Sequence, residues 1–128
     1  MTDRAATDAL LRELYEARIR GDLDGVLRTF ASDAKLEIAG ATYATPMNIR
    51  ATGSAEIRTW LALLVKSFQV SEQEIISLII DGDSAAVQWR ARVRSRITGA
   101  TVPSEFIDVI RIRDGRIVAY TEFFVPLG

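Results

Sequence analysis

The hydrophobic period of this chain changes once, near residue 70, and that change limits the architectures open to it. Before it, apolar residues recur at helical spacing; after it, they alternate. Helices first and strands after describe an α+β plan, with helices on one face of an antiparallel meander. Ala6, Leu10, Leu14 and Ala17 make a stripe that predicts a helix over 3–20, with Arg4, Arg12, Glu13, Glu16 and Arg20 mostly off it. Gly21 suits the end of that helix, and Asp22 suits the cap of a second over about 22–31. In the second helix Val26, Leu27 and Phe30 share a face. Lys35 to Ala39 suits a short strand, and 40–53 reads as irregular, punctuated by Gly40, Pro46 and Gly53. Ser54 is expected to cap a third helix over 55–68, striped by Ile57, Trp60, Leu61, Leu64 and Phe68. Strands follow at 72–80, 84–97, 103–113 and 116–125. Asp81-Gly82-Asp83, Thr98-Gly99-Ala100 and Asp114-Gly115 turn between them.

The length of 128 residues fits one domain over 1–128, large enough for a substantial core. A net charge of −1 gives no general attraction to nucleic acid or anionic membrane. No apolar run approaches the ~18 residues of a membrane span. Met1-Thr2-Asp3-Arg4 lacks the basic-then-apolar plan of a signal peptide, so a cytoplasmic location is expected. The chain has neither cysteine nor histidine. Disulfides, thiolate nucleophiles and imidazole bases are thereby excluded, and proton transfer falls to Asp, Glu, Tyr, Lys or Arg. No metal-ligand spacing stands out, and no cofactor is expected.

Two acids interrupt apolar strands. Asp108 lies within Phe106-Ile107-Asp108-Val109-Ile110, and Glu122 within Tyr120-Thr121-Glu122-Phe123-Phe124. A lone buried carboxylate costs several kcal/mol unless it is paired or protonated. The pair suggests a polar pocket. The alternative is that Asp108 pairs with an arginine of a neighbouring strand and only holds the sheet together. Whether both acids share a face depends on the last turn. A two-residue Asp114-Gly115 loop puts them on opposite faces, and a three-residue Arg113-Asp114-Gly115 loop puts them on one.

Several segments, in order, resemble the nuclear-transport-factor-2-like superfamily, in its SnoaL-like and ketosteroid-isomerase-like branch. They are Gly21-Asp22-Leu23-Asp24, Phe30-Ala31-Ser32-Asp33-Ala34, Gly53 with Ile57, Phe106 to Arg111, Asp114-Gly115-Arg116-Ile117, and Glu122-Phe123-Phe124. The resemblance implies a cone-shaped fold: three N-terminal helices on a curved, mainly antiparallel sheet that encloses a cavity, often dimeric through the outer sheet face. It favours the three-residue loop and hence both acids on one face. Asp108 resembles the acid that ketosteroid isomerases keep protonated as a hydrogen-bond donor. That family's tyrosine falls on Leu14, with Tyr15 about 100° further round the helix. Its base falls on Ile38, with Glu37 on the opposite face. Glu122 resembles one acid of limonene-epoxide-hydrolase-like proteins, and Arg90 falls near their arginine. Arg92 stands where their second acid belongs, and Tyr43 and Asn48 are loose matches for their water-holding residues.

In Gln88-Trp89-Arg90-Ala91-Arg92-Val93-Arg94-Ser95-Arg96 the plain reading is a solvated arginine face over a buried face of Val87, Trp89, Ala91 and Val93. The resemblance instead puts Gln88 and Arg90 on the cavity side. The expected enzyme moves a proton on a mainly apolar small molecule, as an isomerase, cyclase or hydrolase. Asp108 would be acid or hydrogen-bond donor, Glu122 the base, and Arg90 the group that sets their charges. Leu14, Phe30, Trp60, Gln88, Phe106, Tyr120 and Phe124 would line the ligand site, though simple core packing explains each aromatic as well. The alternative is a non-catalytic dimeric binding or assembly module. Ile107, Val109, Ala119, Thr121 and Phe123 would form an outer apolar face, the motive for expecting a homodimer.

Overall fold

The computed structural model describes residues 3–42 and 45–127. The elements are α1 (Arg4–Arg20), α2 (Leu23–Arg28), β1 (Phe30–Thr42), β2 (Thr45–Thr52), α3 (Gly53–Ser67), β3 (Phe68–Asp81), β4 (Ser84–Ser95), β5 (Thr101–Arg113) and β6 (Arg116–Pro126). Among the described residues the strands form one curved, open sheet in the order β2-β1-β6-β5-β4-β3. Each pairing is antiparallel except the parallel pair β1–β6. The three helices pack on the sheet in an α+β arrangement. No helix is long and apolar enough to cross a membrane.

Capping chemistry explains the first helices. Asp3 accepts a hydrogen bond from Ala5 N at 3.0 Å, and Gly21 ends α1 in a left-handed conformation, φ 72°. Asp22 caps α2 by accepting from Gly25 N at 3.0 Å. The second helix is shorter than its apolar pattern predicts. Thr29 Oγ1 donates to Val26 O at 2.6 Å, and Phe30 pairs with Ile117 as the chain enters β1. Ser54 does not cap α3. Thr52 holds that position without a side-chain bond, and Glu56 reaches back to accept from Thr52 N at 3.0 Å.

The largest departure from the sequence pattern is the β1–β2 hairpin, where 40–53 reads as irregular. Pro46 is tolerated because β2 is an edge strand, with one side free of ladder bonds. Gly40 serves close approach. A Cβ there would lie 2.6 Å from Phe124 Cε1 and 2.7 Å from the Phe124 carbonyl oxygen.

The β5–β6 connection follows neither expected route. Arg113 pairs with Arg116 across a two-residue turn, with Asp114 at φ 52° and Gly115 at φ 74°. That turn alone would send Asp108 and Glu122 to opposite faces. The register then shifts between Arg111 and Ile112, because Ile112 pairs with Ile117 while Arg111 pairs with Ala119. Val118 is the extra residue of a β-bulge, and its insertion restores the alignment. Asp108 consequently sits directly opposite Glu122 on the inner face. Leu11, Leu14, Tyr15, Val87, Trp89, Ile110 and Ile117 form the core around them.

Gly40→Ala should destabilise the fold by about 1–3 kcal/mol, the usual cost of overpacking. Urea denaturation should show a lower midpoint at unchanged slope.

Candidate functional site

Two carboxylates on opposed residues of neighbouring strands repel at close range. The fold resolves this by giving them different partners. Glu122, 1% exposed, is gripped by both terminal nitrogens of Arg18 from α1: Nη2 donates to Oε1 at 2.8 Å, and Nη1 donates to Oε2. This is the fork geometry that suits a guanidinium and a carboxylate. Arg18 also lies over the Trp89 ring, 5.2 Å from its centre.

Asp108, fully buried, has no cation of its own. Its Oδ2 accepts from Tyr15 OH at 2.5 Å, from Trp89 Nε1 at 2.7 Å, and from Tyr120 OH. Its Oδ1 has no partner. The Tyr120 hydroxyl lies between the acids, also 3.2 Å from Glu122 Oε2, while Arg18 Nη1 donates to it at 3.3 Å. One hydroxyl carries one proton, so Tyr120 donates to one acid at a time.

Burial and the charge of Glu122 push the Asp108 pKa well above the usual aspartate range, outweighing Arg18. Burial also pushes Glu122 upward, but the Arg18 charge and hydrogen bonds prevail and hold it below its ordinary value. Burial first, and then Asp108, raise the Tyr15 and Tyr120 hydroxyls, keeping both neutral. The two acids are thus pushed in opposite directions, Asp108 toward keeping its proton and Glu122 toward its ionised form beside the Arg18 cation.

A cavity of about 610 Å³ opens between the helices and the inner sheet face. Glu122 and Arg18 line it, as do Ile38, Phe106 and Phe124. Tyr15, Trp89, Asp108 and Tyr120 lie behind that wall as a second layer. Helix α1 and the bulged strand β6 thus place one carboxylate on the cavity surface.

Several expected positions change. Arg90 is not in the cavity: its side chain is 54% exposed and pairs with Glu105 at 3.5 Å. Gln88 is on the same outer face and donates to Glu105 Oε1 at 2.5 Å. The plain alternation holds for β4, with Val87, Trp89 and Ala91 buried inward. Burying an indole whose N–H finds Asp108 is favourable, whereas burying Arg90 there would strand a second cation. Leu14 is buried core, and Tyr15 beside it is the tyrosine that reaches the acid. Phe30 packs edge-on to Tyr120 at 5.9 Å rather than lining the cavity. Trp60 lines a separate surface pocket with Leu63 and Lys66. Glu37 pairs with Arg50 at 2.7 Å, Asn48 is exposed, and Tyr43 lies outside the described residues. Among the described residues no cluster of three or more Asp or Glu could hold a metal ion.

The sequence pattern points to neither Tyr15 nor Arg18 as a site residue. The signal was there: Leu11, Leu14, Tyr15 and Arg18 follow the i, i+3, i+4, i+7 spacing of one helix face. An arginine on a buried stripe asks for a buried acid.

Residues 11–120 match the SnoaL-like domain family, and the chain belongs to that family. No curated protein matches the sequence. Among solved structures, a candidate isomerase from Bacillus subtilis superposes with a TM-score of 0.84 at 22% identity, over 99% of this chain and 91% of that one. An NTF2-like protein from Burkholderia xenovorans LB400 gives 0.81 at 20% identity, over 98% and 93%. An LEH-like epoxide hydrolase from M. tuberculosis gives 0.72 at 16% identity, over 94% and 84%. These likenesses establish the nuclear-transport-factor-2-like, ketosteroid-isomerase-like fold.

The opposed pKa shifts give stability a pH dependence of definite sign. Asp108, raised on folding, favours the folded state fully below the ordinary aspartate range, and this is lost as pH climbs toward the raised value. Glu122, lowered on folding, contributes above the ordinary glutamate range and loses that contribution as pH falls through its folded value. Urea denaturation from about pH 4 to about pH 8 should therefore show wild-type stability declining with pH. Asp108→Asn, which keeps an acceptor for Tyr15 and Trp89 but cannot ionise, should flatten that decline. An equally steep decline in the variant would show that Asp108 ionises normally.

Proposed function

We propose that the protein is a cofactor-independent enzyme that moves a proton on a mainly apolar small molecule, with Glu122 as the base. One observation carries this reading: an arginine-paired carboxylate on the cavity wall backed by a second, fully buried carboxyl group, with a tyrosine hydroxyl between them. Arg18 takes the charge-setting role. Asp108 acts through Tyr120 as a positioning residue, since it does not reach the cavity. A base held below its ordinary pKa drives proton transfer weakly. It suits a carbon already made acidic by neighbouring carbonyl groups, or water attacking a strained ring. The activities named for relatives of this fold, isomerase, polyketide cyclase and epoxide hydrolase, have that character.

A second reading is a non-catalytic binding module. Its support is that both Glu122 oxygens are already engaged by Arg18. Substrate must then share the carboxylate with the guanidinium for chemistry to occur.

A panel of steroid enones, epoxides and polyketide-like ketones separates the two. Turnover of one class is expected. Glu122→Gln should lower it by about 10²-fold or more, the usual weight of a general base. Arg90→Gln should leave it unchanged. The rate should fall only as pH drops below the ordinary glutamate range, where Glu122 takes up a proton. Saturable binding without turnover across the panel would favour the binding module.

The same reading includes a homodimer through the outer sheet face. Ile107, Val109 and Phe123 are each nearly half exposed there, and Val125 is 59% exposed. Sedimentation at micromolar concentration should give twice the 14.2 kDa chain mass. A species of chain mass alone would remove this part of the proposal.

A further inference from the structure

The lining of the cavity carries an unbalanced charge. Arg18, Arg20 and Arg96 line it, against Glu122 and Asp22. Arg18 is fully matched by Glu122. Arg20 reaches Asp22 at 3.4 Å, and Arg28 approaches the same carboxylate at 3.9 Å. Arg96 belongs to no ion pair among the described residues. Its side chain is exposed but anchored to the fold. Its backbone N donates to Ser67 O at 2.8 Å, and its Nε donates to Val65 O at 3.2 Å. Both contacts tie it to the end of α3 and leave the terminal guanidinium nitrogens free of a protein acceptor.

The loop beside it is held as well. Ser95 Oγ accepts from Thr98 N at 3.2 Å, and Thr98 Oγ1 accepts from Ala100 N at 3.2 Å. Ser95, Thr98 and Ala100 all line the cavity. The remaining walls are mainly apolar, with Leu61, Leu64, Val65, Val70, Val93 and Val102, and Gln69 and Ser104 are the polar exceptions. Arg96 stands just beyond β4, and from Trp89, which touches the floor cluster, to Ser95 the strand runs six residues, roughly 20 Å.

We propose that the ligand of this cavity is an elongated, mainly apolar molecule bearing one carboxylate, which Arg96 binds at the mouth while the apolar body extends toward Glu122. The inference rests on the reading of the cavity as a small-molecule site. It adds the charge of the ligand and its orientation. A carboxylate is favoured over a neutral group because it supplies the missing counter-charge and matches the free guanidinium nitrogens. A cation would meet surplus positive charge at the entrance. The floor offers no second place for an anion, because the free end of the molecule there meets ionised Glu122.

Calorimetric titration with decanoate, 1-decanol and decyltrimethylammonium tests this. Decanoate should bind about five- to tenfold more tightly than 1-decanol, the weight of one charge-assisted contact at a partly exposed site. The cation should bind most weakly. Arg96→Gln, which keeps a donor for Val65 O, should bring decanoate down to the level of 1-decanol and leave 1-decanol unchanged. Arg94→Gln, on the outward face of β4, should change neither, and thermal melts should confirm that both variants fold. Equal affinity of wild type for decanoate and 1-decanol would overturn the anionic ligand but leave the apolar cavity standing. An Arg94→Gln variant that weakens decanoate as much as Arg96→Gln does would overturn it in the same way. Binding of none of the three probes would overturn both this inference and the small-molecule reading beneath it.

Discussion

The bidentate grip of Arg18 on Glu122 is the interaction around which the interior is arranged. Glu122 faces Asp108 across one strand pairing, and two ionised carboxylates there would be prohibitive without water. One arginine can neutralise one of them. The other is pushed toward keeping its proton, with two tyrosine hydroxyls and an indole N–H around it. Removing the cation would leave Glu122 buried and unpaired, a change that costs about 3–5 kcal/mol in comparable sites. The site thus depends on α1 lying where its last turn reaches β6, and on Trp89 pointing inward beneath the guanidinium. The stacking of Trp89 on Phe106, 3.8 Å between ring centres and nearly parallel, joins this buried layer to the cavity wall.

The strand register matters as much as the side chains. A strand shifted by one residue exchanges its faces completely. Here a tight turn alone gives the wrong parity, and the Val118 bulge corrects it four residues before Glu122. Bulges beside sites commonly re-aim a side chain in this way. The turn uses Asp-Gly, which favours left-handed backbone at both central positions, while the bulge leaves no such composition signature.

That contrast explains what could be read in the sequence. The order of helices and strands, the helix ends at Gly21 and Asp22, and the inward face of Phe106, Ile110 and Tyr120 follow from local chemistry. The β1–β2 hairpin did not, because Pro46 and Gly40 signal a loop unless the edge position and the Phe124 contact are already known. The importance of Asp108 and Glu122 was legible, since a charge within an apolar run demands compensation. The identity of the compensating cation was not. Arg90 is near in sequence pattern, but Arg18 is near in space, and only the packing of α1 across the sheet decides between them. Following the resemblance for β4 reversed its faces, whereas plain alternation of Val87, Trp89 and Ala91 gave the observed burial.

The division between wall and backing also limits the chemistry. A protonated acid on the wall could protonate a leaving group or hold an enolate oxygen directly. Asp108 cannot, because Tyr15, Trp89 and Tyr120 crowd its Oδ2 and its Oδ1 is buried without a hydrogen-bond partner. The Tyr120 hydroxyl lies nearer Asp108 than Glu122, so it links the two acids while the ligand meets only Glu122. The wall of the cavity thus offers one carboxylate and one guanidinium, and every other titratable group of the cluster stands behind it.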